Sequence, residues 1–219
     1  AEEPFAIASA KPITRVSTPI PVVTLTATPG TVGPAGTITV TANVTNSSST
    51  LPLSGASISL SKPGDVAITS GVSPAALGTI APGASTNVVW SLQPSTGGVK
   101  NLSVAATGSA YGETFNGSNS ASFTADFDAP TLTLDAMPEF SATASPVFSW
   151  NAVDAHSSVA SYDVQTSTNG GAFADQLLGT TSTSLPIAAG EGQTLSARVR
   201  TRDTFGNTSV WSQAQTTID

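Results

Sequence analysis

Carboxylate, imidazole and hydroxyl groups crowd together once in the chain, at Asp154, His156, Ser157 and Ser158. These are the residue types of a hydrolytic triad, in which a carboxylate orients an imidazole that takes the proton of an attacking hydroxyl. That chemistry needs groups converging from separate elements, with donors placed to stabilise an oxyanion. Neighbours in one loop between strands do not converge in this way, and nothing in the loop supplies an oxyanion hole. The expected role of Asp154 is to hold its own turn by accepting backbone N–H bonds. The chain is not expected to be an enzyme, and no motif calls for a cofactor.

A second kind of chemistry would be cation binding. Asp203 stands four residues before Asn207 in Asp203-Thr204-Phe205-Gly206-Asn207. Its carboxylate suits a tight turn whose positive-φ position is Gly206. The alternative is a calcium ligand, joined by Asp126 and Asp128 or by Asp154. Calcium takes about six to eight oxygens, several of them carboxylates. The acids are scattered and no Asp-x-Asp-x-Asp-Gly loop exists, so turn capping is favoured and Asp126, Asp128, Asp154 and Asp203 stand as the metal candidates.

Two further sets of side chains could bind a ligand. Arg198, Arg200 and Arg202 alternate along one segment and therefore share a strand face, opposite Ala197, Val199 and Thr201. They suit an anion or glycan patch, but Asp163 is predicted to point outward on a neighbouring strand, so cross-strand charge pairing is the simpler account. Trp90, Trp150 and Trp211 could stack on sugars; Val88 with Trp90 and Phe148 with Trp150 instead alternate as core positions do. Asn43, Asn46, Asn101, Asn116 and Asn207 each begin an Asn-x-Ser/Thr acceptor sequence for glycosylation. A chain with 31 Ser and 32 Thr among 219 residues produces several of these by chance. Lys11, Lys62 and Lys100 are the lysines available for an internal isopeptide staple, which no motif supports.

The elements that must position these groups are strands. Charged residues make up 10% of the chain, cysteine is absent, and Thr and Val, suited to a pleated surface, are abundant. Seven Lys+Arg against fourteen Asp+Glu give a net charge of -7, the wrong sign for phosphate-backbone binding, so no nucleic-acid partner is expected. Without cysteine there is no disulfide framework, thiolate zinc site or Cys nucleophile. No apolar run approaches the roughly 18 residues of a membrane helix. An apolar share of 39% is enough to offset the ordering entropy of a folded chain.

Period-2 alternation and turn signals predict strands near 21–28, 37–45, 56–60, 67–72, 86–92, 100–107 and 113–124. Lys62-Pro63-Gly64-Asp65, Ala81-Pro82-Gly83 and Ser95-Thr96-Gly97-Gly98 separate several of them. The pattern restarts at Asp126-Phe127-Asp128-Ala129-Pro130, with strands predicted near 131–135, 146–151, 159–166, 172–178, 183–186, 194–201 and 209–218. Asn169-Gly170 favours a hairpin turn with φ > 0 at both residues. The fold class is all-β: two tandem sandwiches over 18–128 and 129–219, preceded by an extended N-terminal arm over 1–17. Met is absent from position 1 and no basic-then-apolar leader is present, as in a mature secreted protein or an excised fragment.

The second half resembles a bacterial fibronectin type III-like or immunoglobulin-like repeat. The matching stretches are Phe148-Ser149-Trp150, Val159 to Val164, and Arg198 to Ser209 closed by Trp211-Ser212. The first half more loosely resembles the Ig-like modules of bacterial and archaeal surface proteins, through Gly36 to Val40, Asn43 to Asn46 and Leu77 to Gly83. Both resemblances imply secreted or cell-surface, modular, non-catalytic roles. The arm carries Phe5, Ile7 and Ile13 without a fold of its own, and extended segments of that kind add a strand to an exposed sheet edge. The expected function is a structural subunit of an extracellular assembly (filament, pilus-like fibre, sheath or coat). Self-association, or contact with a neighbouring surface protein, would run through the arm. The alternative is an accessory or adhesive module pair of a larger secreted protein that contacts polysaccharide.

Overall fold

The computed structural model describes residues 17–219, all of them strand, turn or coil, with no helix among them. The arm residues Phe5, Ile7 and Ile13 lie outside the described residues. The first nine strands are β1 (Pro21–Thr28), β2 (Thr31–Val32), β3 (Ile38–Asn46), β4 (Leu53–Ser61), β5 (Val66–Ser70), β6 (Ala75–Ile80), β7 (Ser85–Pro94), β8 (Gly98–Ala110) and β9 (Glu113–Ala125). They form one sheet in the order β1-β3-β7-β5 and a second in the order β2-β9-β8-β4-β6. Between them lies a core of aliphatic side chains around Trp90.

The alternation read along 37–45 is the reason this sandwich closes. Ile38, Val40, Ala42 and Val44 of β3 are buried while the residues between them face outward. Register with β7 sets Val40 opposite Trp90, whose indole N–H donates to Val72 O at 2.8 Å. Along one side β1 runs close against β9. A Cβ on Gly117 would stand 1.8 Å from Pro21 O, so only glycine admits this approach. The first strand then changes sheets, with β2 pairing parallel to β9 at Thr31–Thr124 and Val32–Ala125.

Eight strands follow: β10 (Thr131–Leu134), β11 (Phe140–Ser141), β12 (Val147–Val153), β13 (Val159–Thr168), β14 (Ala174–Thr180), β15 (Ser184–Pro186), β16 (Thr194–Asp203) and β17 (Ser212–Ile218). They make a sheet β10-β12-β15 and a sheet β11-β17-β16-β13-β14. The edge switch recurs here, β10 pairing antiparallel with β12 and β11 parallel with β17. Phe148, Trp150 and Tyr162 meet in this core, with ring centroids 5.5 and 5.9 Å apart along the row.

Three strands escape the sequence reading. β2 and β11 are two residues long, too short to show alternation, and β6 lies between Pro74 and Ala81 and contains Gly78. Asn169 and Gly170 take φ of 51° and 69°, the expected turn. The connection is nevertheless five residues long, because β14 begins only at Ala174. Asp163 departs further from expectation. It stands on the outer face, between Tyr162 and Val164, yet it is 8% exposed, because Arg200 and the Gly179 backbone cover its carboxylate.

Candidate functional site

Where the two sandwiches meet, three carboxylates converge from three elements. Asp126 follows the last residue of β9, and its own N–H donates to Val32 O at 2.8 Å, which locks the chain as it leaves the first sandwich. Its side chain is fully buried. Oδ1 accepts the Asp128 N–H at 3.3 Å, while Oδ2 has no hydrogen-bond partner. Asp154 follows β12, and its Oδ1 accepts the N–H groups of His156 (2.9 Å) and Ser157 (2.7 Å) and the Ser157 hydroxyl (3.0 Å). Asp203 ends β16. Its Oδ1 accepts the N–H groups of Phe205 and Asn207, both at 2.8 Å, and its Oδ2 accepts Asn207 Nδ2 at 2.8 Å and Ser157 Oγ at 3.2 Å.

One carboxylate oxygen from each of Asp126, Asp154 and Asp203 lies within 4.8 Å of the others. Asp128 does not join them; it is exposed, with Oδ2 3.7 Å from His156 Nδ1. Burial pushes the Asp154 carboxyl upward, but the two N–H donors and the Ser157 hydroxyl outweigh it and hold the group below its ordinary value. Two more contacts close the joint. Asn207 Nδ2 donates to Asp126 O at 3.2 Å, and Phe205 packs so tightly on Gly33 that a Cβ there would stand 2.5 Å from Phe205 Cβ.

The catalytic letters do not assemble. The Ser157 hydroxyl faces two carboxylates and the His156 ring faces Asp128, so no imidazole stands ready to take a serine proton. Asp154 and Asp203 act as turn caps, with Gly206 at φ 91°. Three surface depressions of about 160, 380 and 400 Å³ have no Asp, Glu, His, Lys or Arg side chain in their walls.

The arginine row pairs as the alternation implies, though with more partners than charge alone. Arg200 lies opposite Asp163 in the β13–β16 register and holds its Oδ2 at 2.9 Å through both Nε and Nη2. Burial raises the Asp163 carboxyl, and the Gly179 N–H with Arg200 and Arg202 more than reverses this, leaving it below its ordinary value. Arg198 bonds Gln165 Oε1 and lies between Phe173 and Trp211, 4.1 and 4.7 Å from the ring centroids. Arg200 covers Trp211 as well, at 4.8 Å. Trp90 and Trp150 are core side chains. Phe173 falls within the strand predicted near 172–178, but β14 begins only at Ala174, so its ring reaches Arg198 from the loop before that strand.

Of the five acceptor asparagines, Asn101 and Asn116 are exposed and Asn43 is half-buried with its amide on Asn87. Asn46 is corrected: it is fully buried, and its Nδ2 donates to the carbonyls of Leu51, Ile80 and Ala81, so no glycan fits there. The Asn207 amide is likewise committed to Asp126 O and Asp203 Oδ2, which removes it as an attachment point in the folded chain. Lys100, 5% exposed, holds Asp65 at 2.5 Å and Gly97 O at 2.9 Å, an ion pair where the sequence left its role open.

No protein-family model matches the chain, and no curated protein matches it in sequence. Among solved structures, it is similar to the fibronectin(III)-like modules of Clostridium thermocellum CbhA at 15% identity and a TM-score of 0.35, over 90% of this chain and 94% of that one. It is similar to an Escherichia coli alpha-2-macroglobulin fragment running from domain MG7 to the C-terminus at 16% identity and a TM-score of 0.42, over 69% of this chain and 24% of that one. The chicken CNTN1 FN1-FN3 domains match at 12% identity and a TM-score of 0.32, over 90% of this chain and 67% of theirs. At these scores the architecture rests on the strand order itself: two tandem all-β sandwiches of two sheets each.

Proposed function

We propose that the chain is a non-enzymatic structural or adhesive module pair, with sandwiches over 18–128 and 129–219, acting as a secreted or cell-surface subunit. The observation that carries this reading is where the polar side chains go. The carboxylates, arginines and Lys100 hold turns, strands and the joint, and the surface depressions offer no acid or base. A catalytic cleft needs such groups free to act on a substrate. The hydroxyl-rich, weakly charged composition suits an exposed, modular role.

The finer reading is a filament, pilus-like fibre, sheath or coat in which Phe5, Ile7 and Ile13 of the arm add a strand to a sheet edge of a neighbouring copy or surface protein. A head-to-tail contact of that type does not close on itself and builds a fibre. Phe5 and Ile7, two residues apart, face the same way in an extended segment. Negative-stain microscopy and size-exclusion chromatography of the intact chain test it. Fibres are expected, lost in the double variant Phe5→Asp, Ile7→Asp while both sandwiches stay folded. A clean monomer, or fibres unchanged in the variant, favours the accessory, polysaccharide-contacting module pair instead.

A further inference from the structure

We infer that Asp126, Asp154 and Asp203 form a binding site for one hard divalent cation, calcium before others, at the joint between the sandwiches. This goes beyond the functional reading and does not depend on it. The convergence alone would not carry the inference; the state of Asp126 does. Its side chain is fully buried, and Oδ2 has no donor from any described residue. A buried ionised carboxylate is held by donors or by a cation. Within 4.0 Å of these three carboxylates no Lys or Arg nitrogen stands among the described residues, and the nearby His156 ring is turned to Asp128.

The donors present do not neutralise the cluster. The Ser157 hydroxyl stands within reach of both Asp154 Oδ1 and Asp203 Oδ2, but it has a single proton to give. Carboxylates this close repel one another, and most where Asp126 and Asp203 are buried. A divalent ion turns that repulsion into attraction. Oxygens within 4.8 Å of one another can share one shell around an ion whose oxygens stand about 2.3–2.6 Å away, with water supplying the remaining ligands. All three ligands are carboxylates, with no thiolate or imidazole facing them, which selects hard cations over zinc or copper. Magnesium sheds its waters reluctantly and is the weaker fit.

The placement gives the ion a consequence. Asp126 belongs to the chain leaving the first sandwich, whereas Asp154 and Asp203 belong to loops of the second. A bound ion would bridge the exit of β9 to the β12–β13 loop and the turn after β16, and so stiffen the joint.

Isothermal titration of the intact, EDTA-stripped chain with calcium chloride, alongside scanning calorimetry, tests the inference. One calcium per chain is expected. At saturation the melting of the second sandwich should rise by about 5–10 °C. Asp126→Asn should weaken binding by on the order of tenfold or more by removing a ligand charge. In EDTA the same variant should melt at or above wild type, because a like charge has gone. Asp128→Asn, outside the cluster, should bind as wild type does. Asp154→Asn, whose amide oxygen still accepts the turn N–H groups, gives an independent second variant and should also bind weakly. No bound calcium at about 5 mM, beyond the range of weak extracellular sites, would overturn the inference. So would wild-type affinity in both Asp126→Asn and Asp154→Asn, or an Asp126→Asn protein that melts well below wild type in EDTA.

Discussion

The two sandwiches share a strand plan but hold themselves together differently. Both begin with a strand that switches sheets and ends parallel to the last strand. The first encloses 21 buried apolar residues in its core cluster, and most of them are aliphatic. The second encloses eight, three of them the row Phe148, Trp150 and Tyr162. What the second lacks in aliphatic area it offsets with aromatic volume, and with polar work on its outer face. Arg198 and Arg200 stack on Trp211, and Arg200 holds a buried Asp163. The first sandwich keeps its buried polar contacts to a few places, chiefly Asn46 under the loop carbonyls and Lys100 on Asp65. Apolar burial neither titrates nor is screened, whereas partly buried ion pairs depend on pH and are weakened by ionic screening. The two halves should therefore respond to different insults.

The largest separation should come from Trp90→Ala. The side chain is fully buried and fixed by its bond to Val72 O, so truncation leaves a cavity and an unpaired carbonyl. A loss of about 3–5 kcal/mol is expected in the first sandwich. Scanning calorimetry should show its transition collapse while the second persists; equal losses in both would mean that the cores melt as one unit.

Arg200→Ala comes next. It strips the main partner from a buried carboxylate and uncovers Trp211. The second sandwich should lose about 2–3 kcal/mol, less than for a fully enclosed pair because the guanidinium is partly solvated. Arg200→Lys should recover only part of this, since an ammonium lacks the fork and the flat face. Chemical denaturation followed by far-UV circular dichroism checks both variants.

Acid should sharpen the contrast with a smaller effect. Asp163 and Asp154 in the second sandwich and Asp65 in the first all titrate below the ordinary 3.8 in the folded chain. Asp65 is lowered chiefly by its bond to Lys100. A depressed folded pKa means stability that is fully present above the unfolded value and lost as pH falls through the folded one. Both transitions should hold steady down to about pH 4 and fall below it, the second further, because it carries two such groups and the more buried one. A first sandwich that falls further than the second would refute the division drawn between them.

Much of this was legible in the residues because β-structure writes its burial into a period of two. β3 shows it plainly: Ile38, Val40, Ala42 and Val44 cannot all be buried in any other regular conformation of that segment. The restart at Asp126 to Pro130 and the row of arginines on one face follow from the same period. So does the turn-capping role of Asp203, whose partners lie within four residues along the chain. Alternation gives a face, however, and not what covers that face. Asp163 reads as outward and is buried, because Arg200 reaches it from a strand 37 residues away. Asn46 reads as a glycan acceptor and is a core amide, because the carbonyls it satisfies arrive from the far end of β6. The meeting of Asp126 with Asp154 and Asp203 belongs to the same class. Each acid is visible in the chain, but their convergence depends on the path from β9 into the second sandwich and on Phe205 seating against Gly33. Local period and turn chemistry act over a few residues, so the sequence by itself determined strands, faces and caps. Which groups meet across tens of residues was decided only by the packing of the sheets.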